Sequence, residues 1–148
     1  MTERERWMAQ ALELAREALE AGEAPVGCVI VRDGAVVGRG RNRREGDRTA
    51  LGHAEIDAIA EACRTLGGWR LTGCTLYVTL EPCPMCAGAI LNARVPVVCY
   101  GARDDKAGCC GSVLNLFEER FNHHPRIYGG VLEGDCAALL REFFQKLR

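Results

Sequence analysis

The sequence has no apolar stretch approaching the roughly 20 residues that cross a bilayer, and its first twenty residues alternate charged with apolar side chains, unlike a secretory signal. No membrane partner is expected, and the chain reads as cytoplasmic. Low-complexity segments, internal repeats and linkers are also missing, so residues 1–148 read as a single domain, long enough to bury a core without covalent staples. Neither sign of charge is in excess: 19 Lys and Arg stand against 20 Asp and Glu, a formal net charge of −1. Binding of nucleic acid through bulk positive charge is therefore disfavoured, although Arg39, Arg41, Arg43, Arg44 and Arg48 make a local basic cluster. Nine cysteines are an odd number with no mark of secretion beside them, which favours reduced thiols and a metal site over a disulfide framework.

Periodicity supplies the elements. A capping-box pattern at Thr2 and Glu5 precedes apolar residues at helical spacing from Trp7 to Leu19, and Gly22 ends that helix. Val26 to Val31 and Ala35 to Val37 flank the turn signal Asp33-Gly34, which predicts a β-hairpin, and the arginine-rich stretch from Arg39 to Arg48 reads as a loop. A second helix runs from Ala54 to Leu66 and stops at Gly67-Gly68. Thr75 to Leu80 reads as a buried strand, followed by a helix over Met85 to Leu91 with Pro82 placed in its first turn. Further strands are expected at Val95 to Tyr100 and Arg126 to Leu132, a loop and short helix between them, and a closing helix from about Asp135 to Leu147. Strands alternating with helices predict an α/β protein with a mixed sheet covered on both faces.

Two short motifs carry chemistry: His53-Ala54-Glu55 and Pro82-Cys83-Pro84-Met85-Cys86. One imidazole and two thiolates form a three-ligand set that leaves the fourth tetrahedral position of zinc open, which is the arrangement of a catalytic site. Cysteines at i and i+3 in a first helical turn point to one side, and a helix N-terminus favours their thiolate form. Glu55, two residues after His53, is placed to move protons without ligating the metal. Taken singly, each feature has a plainer reading. A lone CxxC is often a redox pair or half of a structural site, His53 could begin a helix, and Glu55 could merely offset the helix dipole. The conjunction of both motifs at helix starts favours catalysis. The remaining cysteines, with vicinal Cys109-Cys110 in a glycine-rich loop, show no second ligand set and read as small hydrophobes, so one Zn2+ per chain is expected.

At this point the chain resembles the zinc-dependent cytidine and adenosine deaminase superfamily, and within it the bacterial tRNA-specific adenosine deaminases. The resemblance rests on Ala24-Pro25-Val26-Gly27, Gly40-Arg41-Asn42-Arg43, Glu81 to Ile90, Gly101-Ala102-Arg103-Asp104-Asp105-Lys106, Gly111-Ser112 and Cys136 to Phe144. It implies a three-layer cytidine-deaminase-like fold, a five-stranded mixed sheet between helices, and a homodimer. It also implies conversion of wobble adenosine to inosine in a tRNA anticodon stem-loop by a zinc-activated hydroxide, with Glu55 as the catalytic proton shuttle. By the same resemblance Asn42 hydrogen-bonds the target base, while Asp104, Lys106, His123 and Phe144 fall in segments similar to those that contact RNA. The plainer reading of Asn42 is a turn-stabilising asparagine, and that of Phe143 is a ring buried in the core.

The chain departs from the family at Ala50-Leu51-Gly52, where many members have Pro-Thr-Ala before the zinc histidine. Substrate choice is the property this puts in question. Two other classes thus stay open: a deaminase of a free guanine- or cytosine-type base, nucleoside or nucleotide, and a zinc-bearing module that binds RNA without catalysis. The arginine cluster favours the RNA enzyme, with Arg43 and Arg44 expected to meet phosphates, because a free base needs enclosure and no phosphate contacts. Glu55 disfavours the inactive module.

Overall fold

The computed structural model describes residues 1–147. Helix α1 (Glu3–Glu20) begins with the capping box expected from sequence: the Glu5 amide donates to Thr2 Oγ1 at 3.1 Å and the Thr2 amide to Glu5 Oε1 at 2.8 Å. Strands β1 (Gly27–Arg32) and β2 (Ala35–Arg41) form the hairpin, and Asp33 and Gly34 both take positive φ, 51° and 75°, which gives the turn a twist matching its strands.

Strand β2 runs further than expected, because Arg39 and Arg41 pair with Val29 and Gly27 in place of opening a loop. The loop starts at Asn42. Apolar periodicity fails there because the face turned to α2 (Ala54–Leu66) is glycine: a Cβ on Gly40 would stand 2.1 Å from the Ala54 carbonyl oxygen, and one on Gly38 2.2 Å from that of Ala58. These glycines let the helix rest against backbone, fixing where its N-terminus lies.

Strand β3 (Thr75–Leu80), helix α3 (Pro84–Asn92), strand β4 (Val97–Ala102), strand β5 (Arg126–Tyr128) and helix α4 (Glu133–Lys146) complete the chain, with a short 3-10 turn at Leu116–Glu118. The sheet order is β2-β1-β3-β4-β5; β1 is antiparallel to both neighbours, whereas β3, β4 and β5 are parallel. One face packs Val29, Val31, Tyr77 and Cys99 under α1 and α4, and the other packs Cys28, Ile30, Leu76, Val78 and Val98 under α2 and α3. The three-layer mixed α/β fold is the one expected.

Some boundaries differ. Strand β4 starts at Val97 because Val95 is buried in the turn after α3, its amide bonded to the Ile90 carbonyl at 3.2 Å. Strand β5 ends at Tyr128 because Gly129 and Gly130 divert the chain before the Val131 amide returns to the Tyr100 carbonyl at 3.1 Å.

Candidate active site

His53 is the N-cap of α2 and Cys83 the N-cap of α3, both with extended backbone and neither using its side chain to cap. That leaves the imidazole and the thiol free to turn away from their helices. Pro84, not Pro82, occupies the first turn of α3; Pro82 precedes the cap, and its carbonyl accepts from the Cys109 amide at 2.9 Å. Cys86 follows one turn into α3 and is fully buried.

The two helix starts converge. His53 Nδ1 lies 3.5 Å from Cys83 Sγ and 3.5 Å from Cys86 Sγ, and the three donor atoms all fall within 4.8 Å of one another. Among the described residues no other group of His, Cys, Asp or Glu is so gathered. Zn–N bonds of about 2.0–2.1 Å and Zn–S bonds of about 2.3 Å at a tetrahedral angle put nitrogen and sulfur about 3.6 Å apart, so the donors fit zinc. One imidazole with two thiols also suits zinc better than a hard cation.

Proton affinities in the centre are strongly divided. Cys83 is drawn down to about 4, chiefly by the hydrogen bond from Cys86, against burial and with help from His53. Cys86 is pushed up by the same contact and by its burial, and His53 is raised by its hydrogen bond to Cys83. Glu55, 4% exposed, is driven up to about 7 by burial, with the neighbouring Cys83 charge adding to the effect. A carboxyl poised near neutrality can both take and return a proton. A solvated dipole-compensating role does not suit so buried a side chain.

His53, Glu55 and Cys83 line a cavity of about 200 Å3, bordered by Asn42 and Arg44 on one side and by Asp104 and Ala107 on the other. Asn42 is buried there, and its Oδ1 accepts from the Arg44 amide at a long 3.4 Å. Asp104 Oδ1 accepts from the amides of Lys106 and Ala107 at 3.0 and 3.2 Å, turning its loop toward the cavity. The structure thus brings Asn42 and Asp104 to His53, Glu55, Cys83 and Cys86, but not the other three expected substrate contacts. Lys106 is exposed beyond the lining. His123 lies in a separate hollow beside Leu116, its ring donating to the Val95 carbonyl at 2.7 Å. Phe144 is exposed on α4, edge-on to the half-buried Phe143, in the layer opposite α2 and α3.

The arginine cluster is not uniform either. Arg43 is engaged with Asp57 through Nε at 2.6 Å and Nη2 at 2.8 Å, and with Asp47 through Nη1, so it staples the loop in place of facing a ligand. Sequence reasoning did not single out Glu81. This buried residue accepts from the amides of Asp104, Cys110 and Ser112 and from the Ser112 hydroxyl, which holds the 104–112 loop beside the cavity. Burial raises its proton affinity, but these hydrogen bonds together outweigh that and keep it below the ordinary carboxylate range. Its one sequence signal is an acid directly after a strand free of charged residues.

Fold and centre together define a cytidine-deaminase-like protein. The family model described as MafB19-like deaminase matches residues 2–148. The tRNA-specific adenosine deaminase of Bacillus subtilis (strain 168) is 50% identical over 100% of this chain and 92% of its own length. That of Streptococcus pyogenes serotype M18 is 46% identical over 96% and 90%. A solved structure from work on A-to-I editing by tRNA:A34 deaminases superposes with a TM-score of 0.87 at 45% identity, covering 91% of this chain and 99% of that one. A guanine deaminase from Nitrosomonas europaea gives 0.78 at 25% identity, over 97% and 85%. The chain belongs to the tRNA-specific adenosine deaminase family.

Proposed function

We propose that this protein hydrolyses adenosine to inosine at the wobble position of a tRNA anticodon, with one zinc ion per chain held by His53, Cys83 and Cys86. The observation that carries the reading is Glu55, buried in the same cavity as the donor set and raised to about 7. When bound, zinc supplies an acidified water. The Glu55 carboxylate takes a proton from the attacking water and delivers it to the exocyclic nitrogen as the C6–N bond breaks, so that water is consumed and ammonia leaves. Asn42 offers both a donor and an acceptor to a base edge. Arg44, exposed beside the cavity, is the cluster's arginine best placed for a flanking phosphate. The cavity encloses little more than one base, so the target must be unpaired and turned out of its stack, which an anticodon loop permits cheaply.

Purified protein incubated with a stem-loop carrying wobble adenosine should form inosine far faster than it deaminates free adenine, guanine or cytidine. Equal turnover of a free base would replace this reading with the free-substrate one. No helix among the described residues is long and apolar enough to cross a membrane, and a cytoplasmic enzyme is proposed. A homodimer is proposed as well: Val113, Leu114 and Phe121, all in the connection after β4, are about half exposed. Light scattering should give twice the chain mass.

A further inference from the structure

We infer that Glu23 is a positioning residue for the Asn42–Arg44 side of the cavity, acting through the backbone amides of Glu45 and Gly46. Glu23 lies in the connection between α1 and β1, is 2% exposed, and makes no ion pair among the described residues. An acidic side chain buried without a cation is costly unless hydrogen bonds replace the lost water. Here both oxygens are used across 22 and 23 residues of sequence: Oε1 accepts from the Glu45 amide at 3.0 Å and Oε2 from the Gly46 amide at 2.7 Å.

The brace is anchored at its own end. The Glu23 amide donates to the Ala18 carbonyl at 2.9 Å, just after Gly22 turns the chain with φ of 80°, and Pro25 follows. At the other end the loop has little else to hold it, because residues 44–48 are all exposed and offer no apolar anchor. Its ties are polar: Asp57 on the Arg43 guanidinium, Glu23 on the two amides, and backbone bonds within the loop. Arg44, which lines the cavity, sits between those two stakes. Gly46 keeps the second close, since a Cβ there would stand 3.2 Å from Glu23 Oε2. Glu23 itself is not part of the cavity lining, so it acts on the loop and not on the substrate. Fixing the loop in advance removes an ordering cost from binding, so its loss should appear in KM more than in kcat.

The test is Glu23→Gln, which keeps shape but sets an NH2 group against one of the two amides. KM for the anticodon stem-loop should rise about tenfold while kcat stays within about twofold. Trypsin should cut faster after Arg44 and Arg48, whereas Glu81→Gln, which loosens the opposite side of the cavity, should not speed those cuts. In the wild-type protein the Glu45 and Gly46 amides should exchange hydrogen about 100-fold slower than in a free peptide, despite their exposed side chains. Exchange at the free rate would overturn the inference whether or not the variant folds. So would unchanged cleavage with unchanged KM, or kcat and melting temperature falling together with no selective cutting at the two arginines. The kinetic arm rests on the proposed activity: if wild-type protein leaves the stem-loop untouched, that reading fails, while proteolysis and exchange still decide the role of Glu23.

Discussion

Replacing Glu81 tests how the far side of the cavity is held, and the geometry sets the size of the effect. Oε1 accepts from the Asp104 amide at 3.1 Å and the Ser112 hydroxyl at 2.5 Å; Oε2 accepts from the amides of Cys110 and Ser112 at 2.8 and 3.1 Å. Glutamine retains one oxygen. Its best orientation leaves that oxygen on Cys110 and Ser112, lets the Ser112 hydroxyl rotate to accept from the new NH2, and strands the Asp104 amide opposite a donor. One amide without its acceptor costs about 1–3 kcal/mol. The group has no room to shift, because a Cβ on Gly108 would come within 2.3 Å of Glu81 Cδ. Alanine removes all four acceptances, and with water entering the gap the loss should reach about 4 kcal/mol, near the upper limit for single substitutions. Urea unfolding with an unchanged m-value would measure both. Equal losses for the two variants, or losses below about 0.5 kcal/mol, would refute the reasoning. Because the stranded amide belongs to Asp104, Glu81→Gln should also raise KM.

Glu55→Gln should retain zinc and fold but lose at least a factor of about 10² to 10⁴ in kcat, measured as inosine formed in single turnover. Cys83→Ala should abolish zinc and activity together; elemental analysis should find one zinc per wild-type chain, and a metal-free active protein would contradict the assignment. Arg44→Ala should flatten the log–log salt dependence of stem-loop affinity by about 0.7, the value for one single-strand phosphate contact. Arg43→Ala should instead speed proteolysis of the 43–48 segment, because Arg43 already serves Asp57 and Asp47. Asn42→Ala should weaken affinity and leave the salt slope unchanged, since a base-edge contact releases no counterion.

The cluster of His53, Cys83 and Cys86 and the buried Glu55 beside it were legible in the sequence because they sit in local motifs. His-x-Glu at one helix start and Cys-x-x-Cys at another are read from spacing alone, and helical periodicity, the Asp33-Gly34 turn and the Thr2–Glu5 cap are equally local. Strand β3 was found at its observed limits because its short run of β-branched, aromatic and apolar residues is bounded by Gly73 before it and Pro82 after it. The course of β2 beyond Val37 was hidden, since there its face toward α2 is Gly38 and Gly40 and shows no apolar residue to count.

Tertiary structure decided what each polar residue near the cavity is free to do. In sequence Arg43 and Arg44 are equivalent neighbours. In the fold Asp57, presented by the same helix that carries His53 and Glu55, captures Arg43 and leaves Arg44 exposed. Glu23 and Glu81 look like ordinary acids until the chain brings amides 22 to 31 residues away onto their oxygens. Lys106, His123 and Phe144, expected in segments similar to those that contact RNA, lie outside the cavity lining, a placement set by packing across the sheet. Spacing along the chain encodes which atoms can share a metal from two helix ends, but hydrogen bonds between distant segments have no local signature.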